Sequence, residues 1–220
     1  VSEALGELEN LSAQGTLSPR EQYQIEINRS AIACAAGDLP NKEKSARAAL
    51  TIACEAHLKT ESIDAMATLG SALCGLQRRY EGLPLLYRSL AQARDLGDRG
   101  IVAGILHHLA ECHWTRGNYL QALRYQRRCS RMWGGQAMPS EPIVSDMNIA
   151  ILQADLGLYS RARRTYRQSQ QGARWPTSKS REGLVLNNIG ETYRAQGRWR
   201  LALKTYRSAA ISVKGSGAYF

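Results

Sequence analysis

Apolar residues recur along the chain at helical spacing, and polar or glycine-containing turns interrupt them about every twenty residues. Three stretches echo one another most closely. Gly117-Asn-Tyr119-Leu-Gln-Ala122, Gly157-Leu-Tyr159-Ser-Arg-Ala162 and Gly197-Arg-Trp199-Arg-Leu-Ala202 all read G-x-[YW]-x-x-A, with their glycines forty residues apart. Eighty residues further back the same phase reaches Gly37. Seven residues ahead of these turns stand Ser30, Ala110, Ala150 and Gly190, with Gly70 at the matching phase of the second repeat. The residue before each is Arg29, Leu69, Leu109, Ile149 and Ile189, apolar in four of five. The pattern predicts a short helix over residues 2–14 and then five helix pairs: 19–36 with 41–58, 61–77 with 80–96, 98–116 with 118–133, 140–156 with 158–174, and 178–196 with 198–214. The first helix of each pair is termed A and the second B.

Local punctuation agrees with these elements. Ser18-Pro19-Arg20-Glu21 is a helix start, with a serine cap, proline at the first helical position and glutamate placed to close a capping box. Arg94-Asp-Leu-Gly97-Asp98 is a helix stop followed by a fresh cap. Gly134-Gly135 with Pro139 and Pro142, and Trp175-Pro176, mark later loops. The second repeat is expected to slip by one residue: Tyr80, Leu83 and Tyr87 sit one place late, with Gln77 where the turn glycine should be. A small residue on helix A lets the two helices of a pair approach closely. The glycine supplies a left-handed turn, and the aromatic opening helix B plugs the gap beneath A. Ala122, Ala162 and Ala202 keep helix B close, and Tyr166 and Tyr206, one turn on, fill the core. One helix pair cannot bury both faces alone, so the pairs must stack into an all-α solenoid. Residues 1–18 are expected to form an N-terminal helix or partial repeat. Residues 19–214 would form a single solenoid with repeats over 19–58, 61–96, 98–133, 140–174 and 178–214, and residues 215–220 a tail.

Composition supports helices. A single Phe stands against 29 Ala, and the β-branched runs of a sheet are missing. The six prolines are expected outside the periodic segments, mostly near their starts. The net charge is +10, concentrated locally at Arg127–Arg131 and Arg161–Arg167 with acidic residues interleaved elsewhere. It reads mainly as a solvated outer face. The cysteines, Cys34, Cys54, Cys74, Cys112 and Cys129, are odd in number and form no CxxC, which fits reduced thiols in a cytoplasmic protein. No run of eighteen apolar residues exists, so no membrane span and no membrane partner is expected. The chain begins without Met and ends without a polar capping helix, and is expected to be a fragment of something longer.

The run Leu186-x-x-Ile189-Gly190-x-x-Tyr193-x-x-x-Gly197-x-Trp199-x-x-Ala202-x-x-x-Tyr206-x-x-Ala209 resembles the tetratricopeptide-repeat (TPR) motif almost position for position. The resemblance covers residues 19–214 and is closest in the third and fifth repeats. The forty-residue spacing, and Leu96-Gly-Asp-Arg99 before an A helix, are similar to the long-repeat subgroup. That subgroup includes kinesin light chain, Pins-type polarity adaptors and bacterial regulators of the maltose-activator and AfsR kinds. The resemblance implies a right-handed superhelix whose A helices line a groove for an extended or helical peptide. It also implies a non-catalytic adaptor or sensor within a larger bacterial regulatory protein. The partner would be a protein or peptide, or another domain of the same full-length chain. In several long-repeat members an Asn two residues before the small helix-A residue bonds the peptide backbone. That phase reads Asn28, Thr68, His108, Asn148 and Asn188 here. Amides both donate and accept, so such a row can pair with a peptide backbone; the same side chains could instead tie adjacent helices. Helical geometry adds His107, Glu111, Trp114, Asn187, Glu191 and Arg194 as groove candidates. Trp114 stands where Cys34, Cys74, Ala154 and Arg194 stand in other repeats, as a ligand anchor or as cover for an inter-repeat gap.

Nothing in the sequence calls for catalysis or a cofactor. His108 and Cys112 are i, i+4, a possible metal pair, but HExxH and a second ligand motif are missing, so no metal is expected. There is no P-loop and no G-x-G-x-x-G. Gly70-Ser-Ala-Leu-Cys-Gly75 falls mid-helix and is no nucleophile elbow. Two alternatives to the peptide scaffold are carried. One is a small-molecule sensor, which the maltose-activator resemblance permits. The other is nucleic-acid binding through a basic B-helix surface of Arg124, Arg127, Arg128, Arg131, Arg161, Arg163, Arg164 and Arg167, alongside Tyr125 and Tyr166.

Overall fold

The computed structural model describes residues 17–133, 141–171 and 179–214, which form ten helices and no strand. In chain order these are α1 (Pro19–Ala35), α2 (Leu39–Glu55), α3 (Lys59–Gly75), α4 (Arg79–Leu96), α5 (Arg99–Trp114), α6 (Tyr119–Trp133), α7 (Glu141–Asp155), α8 (Tyr159–Gln171), α9 (Lys179–Ala195) and α10 (Trp199–Lys214). They coincide with the five expected pairs to within a few residues. The expected helix over 2–14, the tail 215–220 and the loops at Gly134-Gly135 and Trp175-Pro176 lie outside the described residues.

The A-to-B turns follow one backbone recipe. Gly37, Gly117, Gly157 and Gly197 all have φ between 70° and 80°, and Gln77 takes φ 64° at the same phase. In the first such turn the Gly37 N–H donates to Cys34 O (3.1 Å) and the Asp38 N–H to Ala33 O (2.8 Å). The same two bonds recur at Gln77-Arg78, Gly157-Leu158 and Gly197-Arg198, satisfying carbonyls that a helix end leaves without partners. The starts of α1, α2 and α5 are capped by side chains. Ser18 and Glu21 form a reciprocal capping box, and the carboxylates of Asp38 and Asp98 accept from the backbone of Asn41 (3.1 Å) and Ile101 (3.0 Å). One proline departs from expectation: Pro84 lies inside α4, past the first turn.

The backbone groups into two compact units, Val1–Arg116 and Gly117–Phe220. The first holds α1–α5 and the second α6–α10. In each unit successive elements pack on one another, and A helices also touch the next A helix: α1 with α3, α3 with α5, and α7 with α9. The B helices form the other layer.

The small-residue row is buried throughout: Ser30, Gly70, Ala110, Ala150 and Gly190. Two crossings show why. A methyl at Gly70 would lie 2.9 Å from Gly82 O and 2.9 Å from Leu86 Cγ. A methyl at Gly190 would lie 2.5 Å from the Tyr206 ring. On the B helices Ala122, Ala162 and Ala202 are buried as expected; Gly82 and Lys42 occupy that phase in the first two repeats and are buried too. Ile63, Leu73, Leu86, Ile105, Leu106 and Leu109 fill the first unit's core, each contributing about 1.5–3 kcal/mol by burial.

The expectation of five free thiols is corrected. Cys74 on α3 and Cys112 on α5 form a disulfide with their Cα atoms 5.5 Å apart, while Cys34, Cys54 and Cys129 are free. The two A helices pack side by side, and the facing side chains on them are separated by 38 residues rather than the repeat's forty.

Candidate functional site

The five residues of the expected polar row lie on α1, α3, α5, α7 and α9. In the first unit Asn28 is exposed and accepts a hydrogen bond from Gln24 on its own helix (3.1 Å). Thr68 is half-buried. His108 is half-buried, with Nδ1 3.4 Å from Glu111 Oε2, while His107 Nε2 is 3.5 Å from Glu111 Oε1. Burial of the Glu111 carboxyl opposes ionisation. The hydrogen bonds from His107 and His108 outweigh it and hold the carboxyl below the usual carboxylate range. Three expected site residues thus form one cluster, in which Glu111 is clasped by two imidazoles. Trp114 closes α5 and is about one-third exposed.

In the second unit Asn148 and Asn188 are half-buried on consecutive A helices. Among the described residues neither amide side chain is taken up by a hydrogen bond. Asn187 is exposed. Glu191 and Arg194 are joined to each other (2.7 Å), and Glu191 also accepts a 2.5 Å hydrogen bond from Tyr206 OH on α10. Hydrogen bonds from Arg194 and then Tyr206 lower the Glu191 pKa against the opposing effect of burial. These two candidates are therefore engaged in holding α9 to α10 as well as lying at the A-helix surface.

The metal reading of His108 and Cys112 does not survive, because Cys112 is buried and bonded to Cys74. Among the described residues no group of three or more His, Cys, Asp or Glu is arranged to hold a metal ion. A cleft of about 550 Å³ between α1 and α2 is lined by residues including Ile32, Asp38, Asn41 and the Glu26–Arg29 ion pair. Among the described residues no helix is long and apolar enough to cross a membrane.

The expected basic stripe is corrected at two positions. Tyr166 is 2% exposed, and burial together with the charge of Asp155 pushes its pKa up. Arg163 is 7% exposed and turned into the α8–α9 contact. There it donates to Thr192 Oγ1 (3.1 Å) and Gln196 Oε1 (2.8 Å) and lies 4.4 Å from the Tyr193 ring centroid. Sequence reasoning missed this inward role, although the phase gave a signal: Leu123 occupies the equivalent place one repeat earlier and is buried. Arg124, Arg127, Arg128, Arg131, Arg161, Arg164 and Arg167 are exposed.

Tetratricopeptide-repeat profiles match residues 61–133 and 185–215. No curated protein matches the chain. Among solved structures it is similar to the nearly identical TPR-like repeats of a putative kinesin light chain from Podosopora anserina. That match has 13% identity over 92% of this chain and all of that one, with a TM-score of 0.69. It is also similar to BtubC (BKLC) from P. vanneervenii, with 16% identity over all of this chain and 90% of that one, TM-score 0.70. A third similar structure is NprR in complex with its cognate peptide NprX, with 13% identity, 98% of this chain, 62% of that one and a TM-score of 0.68. At such identities the likeness establishes the helical-solenoid fold alone. The matched segments fall on the same hairpins whose turns and small-residue crossings repeat every forty residues, and over those segments the chain carries tetratricopeptide repeats.

Proposed function

We propose that the chain is a non-catalytic scaffold that binds an extended or helical segment of a partner protein along its A helices. The partner would be a separate protein or another domain of the same full-length polypeptide, within a regulatory protein. The observation that carries this reading is the pair Asn148 and Asn188. Two half-buried amides stand at one phase of consecutive A helices, with donors and acceptors uncommitted among the described residues. A polar group held half out of water gains by pairing with a ligand, and a backbone needs a donor and an acceptor together, which an amide supplies. NprR, the similar structure seen with a cognate peptide, supports the class of ligand.

The test starts from peptides selected on the intact chain from a random display library. Replacing both Asn148 and Asn188 by Ala should weaken the selected peptides about 10- to 100-fold, since each lost hydrogen bond is worth about 0.5–1.5 kcal/mol. The circular-dichroism melt should stay unchanged. Undiminished affinity in the double variant would sink the amide-pair model.

A further inference from the structure

The second unit carries a strongly charged surface on the opposite layer from the peptide face. Each of its B helices, α6, α8 and α10, contains four Lys or Arg and no Asp or Glu. Together they account for more than the chain's whole net charge of +10, so the remaining residues are slightly acidic on balance. The excess is therefore localised on one layer of one unit.

Its arrangement follows the repeat. Arg124, Arg164 and Lys204 stand forty residues apart, and so do Arg127, Arg167 and Arg207. Within each helix the two rows are three residues apart and share a face. All six side chains are exposed, and among the described residues no ion pair reaches any of them. The B helices of the first unit contrast with this, because they also carry Glu43, Glu55, Glu81 and Asp95, and Glu43 pairs with Arg47 and with Arg78 at the start of α4.

We propose that this B-helix face binds the phosphodiester backbone of a nucleic acid. Cations repeated at one interval along a layer complement a polymer whose anions also repeat. Five of the six are arginines, whose planar fork holds a phosphate through two hydrogen bonds. The exposed positions following the second row, Arg128, Gln168 and Ser208, are all polar. Exposed apolar residues do stand on these helices, Leu120 on α6 and Trp199, Leu203 and Ile211 on α10, but none recurs as an exposed apolar residue on all three helices as the cations do. Tyr166, the aromatic beside the rows on α8, is buried and unavailable for stacking on bases. The face therefore engages phosphates rather than base edges, and binding is sequence-independent and strongly salt-dependent.

Fluorescence anisotropy of a labelled oligouridylate and of a labelled DNA duplex, titrated with the full chain over a range of salt, tests this. With six phosphates engaged, the log–log salt slope is about −4 for the single strand or about −5 for the duplex, and the steeper, tighter arm identifies the form bound. The triple variant Arg127→Gln, Arg167→Gln, Arg207→Gln should lose about 2 from the magnitude of the slope and roughly tenfold or more in affinity at low salt. Arg47→Gln with Arg88→Gln, on the first unit's B helices, should change neither. Thermal melts establish that both variants fold. The Asn148 and Asn188 alanine variant should bind nucleic acid normally, which separates this surface from the peptide face. The proposal is overturned if neither nucleic acid binds or if the slope is shallower than about −1. It is equally overturned if the triple variant binds like the parent, or if phosphatidylserine vesicles or polyglutamate are captured in preference to both nucleic acids.

Discussion

Replacing Gly82 by alanine probes the crossing of α3 and α4, on which the repeat geometry of the first unit depends. The added methyl would sit 2.5 Å from Gly70 O, 2.9 Å from Cys74 Sγ and 3.0 Å from Cys74 N. Two of these are backbone atoms of α3 and the third is a disulfide sulfur, so no side chain can swing aside. The helices must separate by several tenths of an ångström along a buried seam. Overpacking of this kind costs about 1–3 kcal/mol, and alanine's better helix propensity returns up to about 1 kcal/mol. The net loss is about 1–2 kcal/mol, a fall in melting temperature of about 3–6 °C for a chain this size. Gly104 in α5 supplies the opposite case, since a methyl there meets nothing within 4 Å. Alanine at 104 should gain about 0.5–1 kcal/mol. Urea and thermal melts by circular dichroism, compared by midpoint because a repeat array need not unfold in two states, give both signs in one experiment. If Gly82→Ala were as stable as the parent while Gly104→Ala gained, the small residues would not be contact points, and the account of how A and B pack would be wrong.

Two further outcomes follow from the turns and from one half-buried imidazole. Gln77 holds φ 64° where the other A-to-B turns use glycine, so Gln77→Gly should raise the urea midpoint by the equivalent of about 1 kcal/mol; an unchanged or lower midpoint would contradict the strain. Burial, and then the charges of Arg79 and Arg116, depress the His113 pKa below its ordinary 6.5. The folded state thus favours the neutral ring, and the associated stability is full above pH 6.5 and is lost as pH falls from there toward the depressed folded value. His113→Gln should flatten the dependence of melting temperature on pH in that acid-side window, and a slope equal to the parent's would rule His113 out as its source.

The hairpins were legible in the sequence because each needs the same few residues for the same reasons. A left-handed turn wants glycine, a close crossing wants a small residue, and both recur at one interval. The slip expected in the second repeat is corrected: Gln77 takes the turn conformation at the unslipped phase, Gly82 and Leu86 are the residues buried on α4, and Tyr80 and Tyr87, expected one place late, are exposed. Pro84 was not legible, because a proline just past the first turn of α4 is compatible with a helix that starts earlier or later, and only the packing of Gly82 and Leu86 fixes its place. For the site, the phase placed Asn148 and Asn188 on consecutive A helices, but it could not show that Glu191 and Arg194 are drawn into a network with Tyr206.

The hardest features to read were polar residues at core phases, and they obey a common rule. Lys42 stands at the alanine phase of α2, is buried, and donates to Ser71 Oγ (3.0 Å) on the next A helix. Gln126 on α6 donates to Ser145 Oγ (2.9 Å) on α7, again the next A helix. Arg163 on α8 reaches Thr192 and Gln196, on and just beyond the end of α9. Each would be costly if buried alone, and each is satisfied across a B-to-A junction rather than within its own hairpin. A repeat alignment compares a residue with its equivalents forty places away, whereas these partners lie 19 to 33 residues ahead. The phase therefore flags such a residue as anomalous but misassigns it, as it assigned Arg163 to a solvent-facing stripe. The same reasoning distinguishes the true outer cations, because Arg124, Arg127, Arg164, Arg167, Lys204 and Arg207 recur at phases where no B-to-A partner exists among the described residues to take them inward.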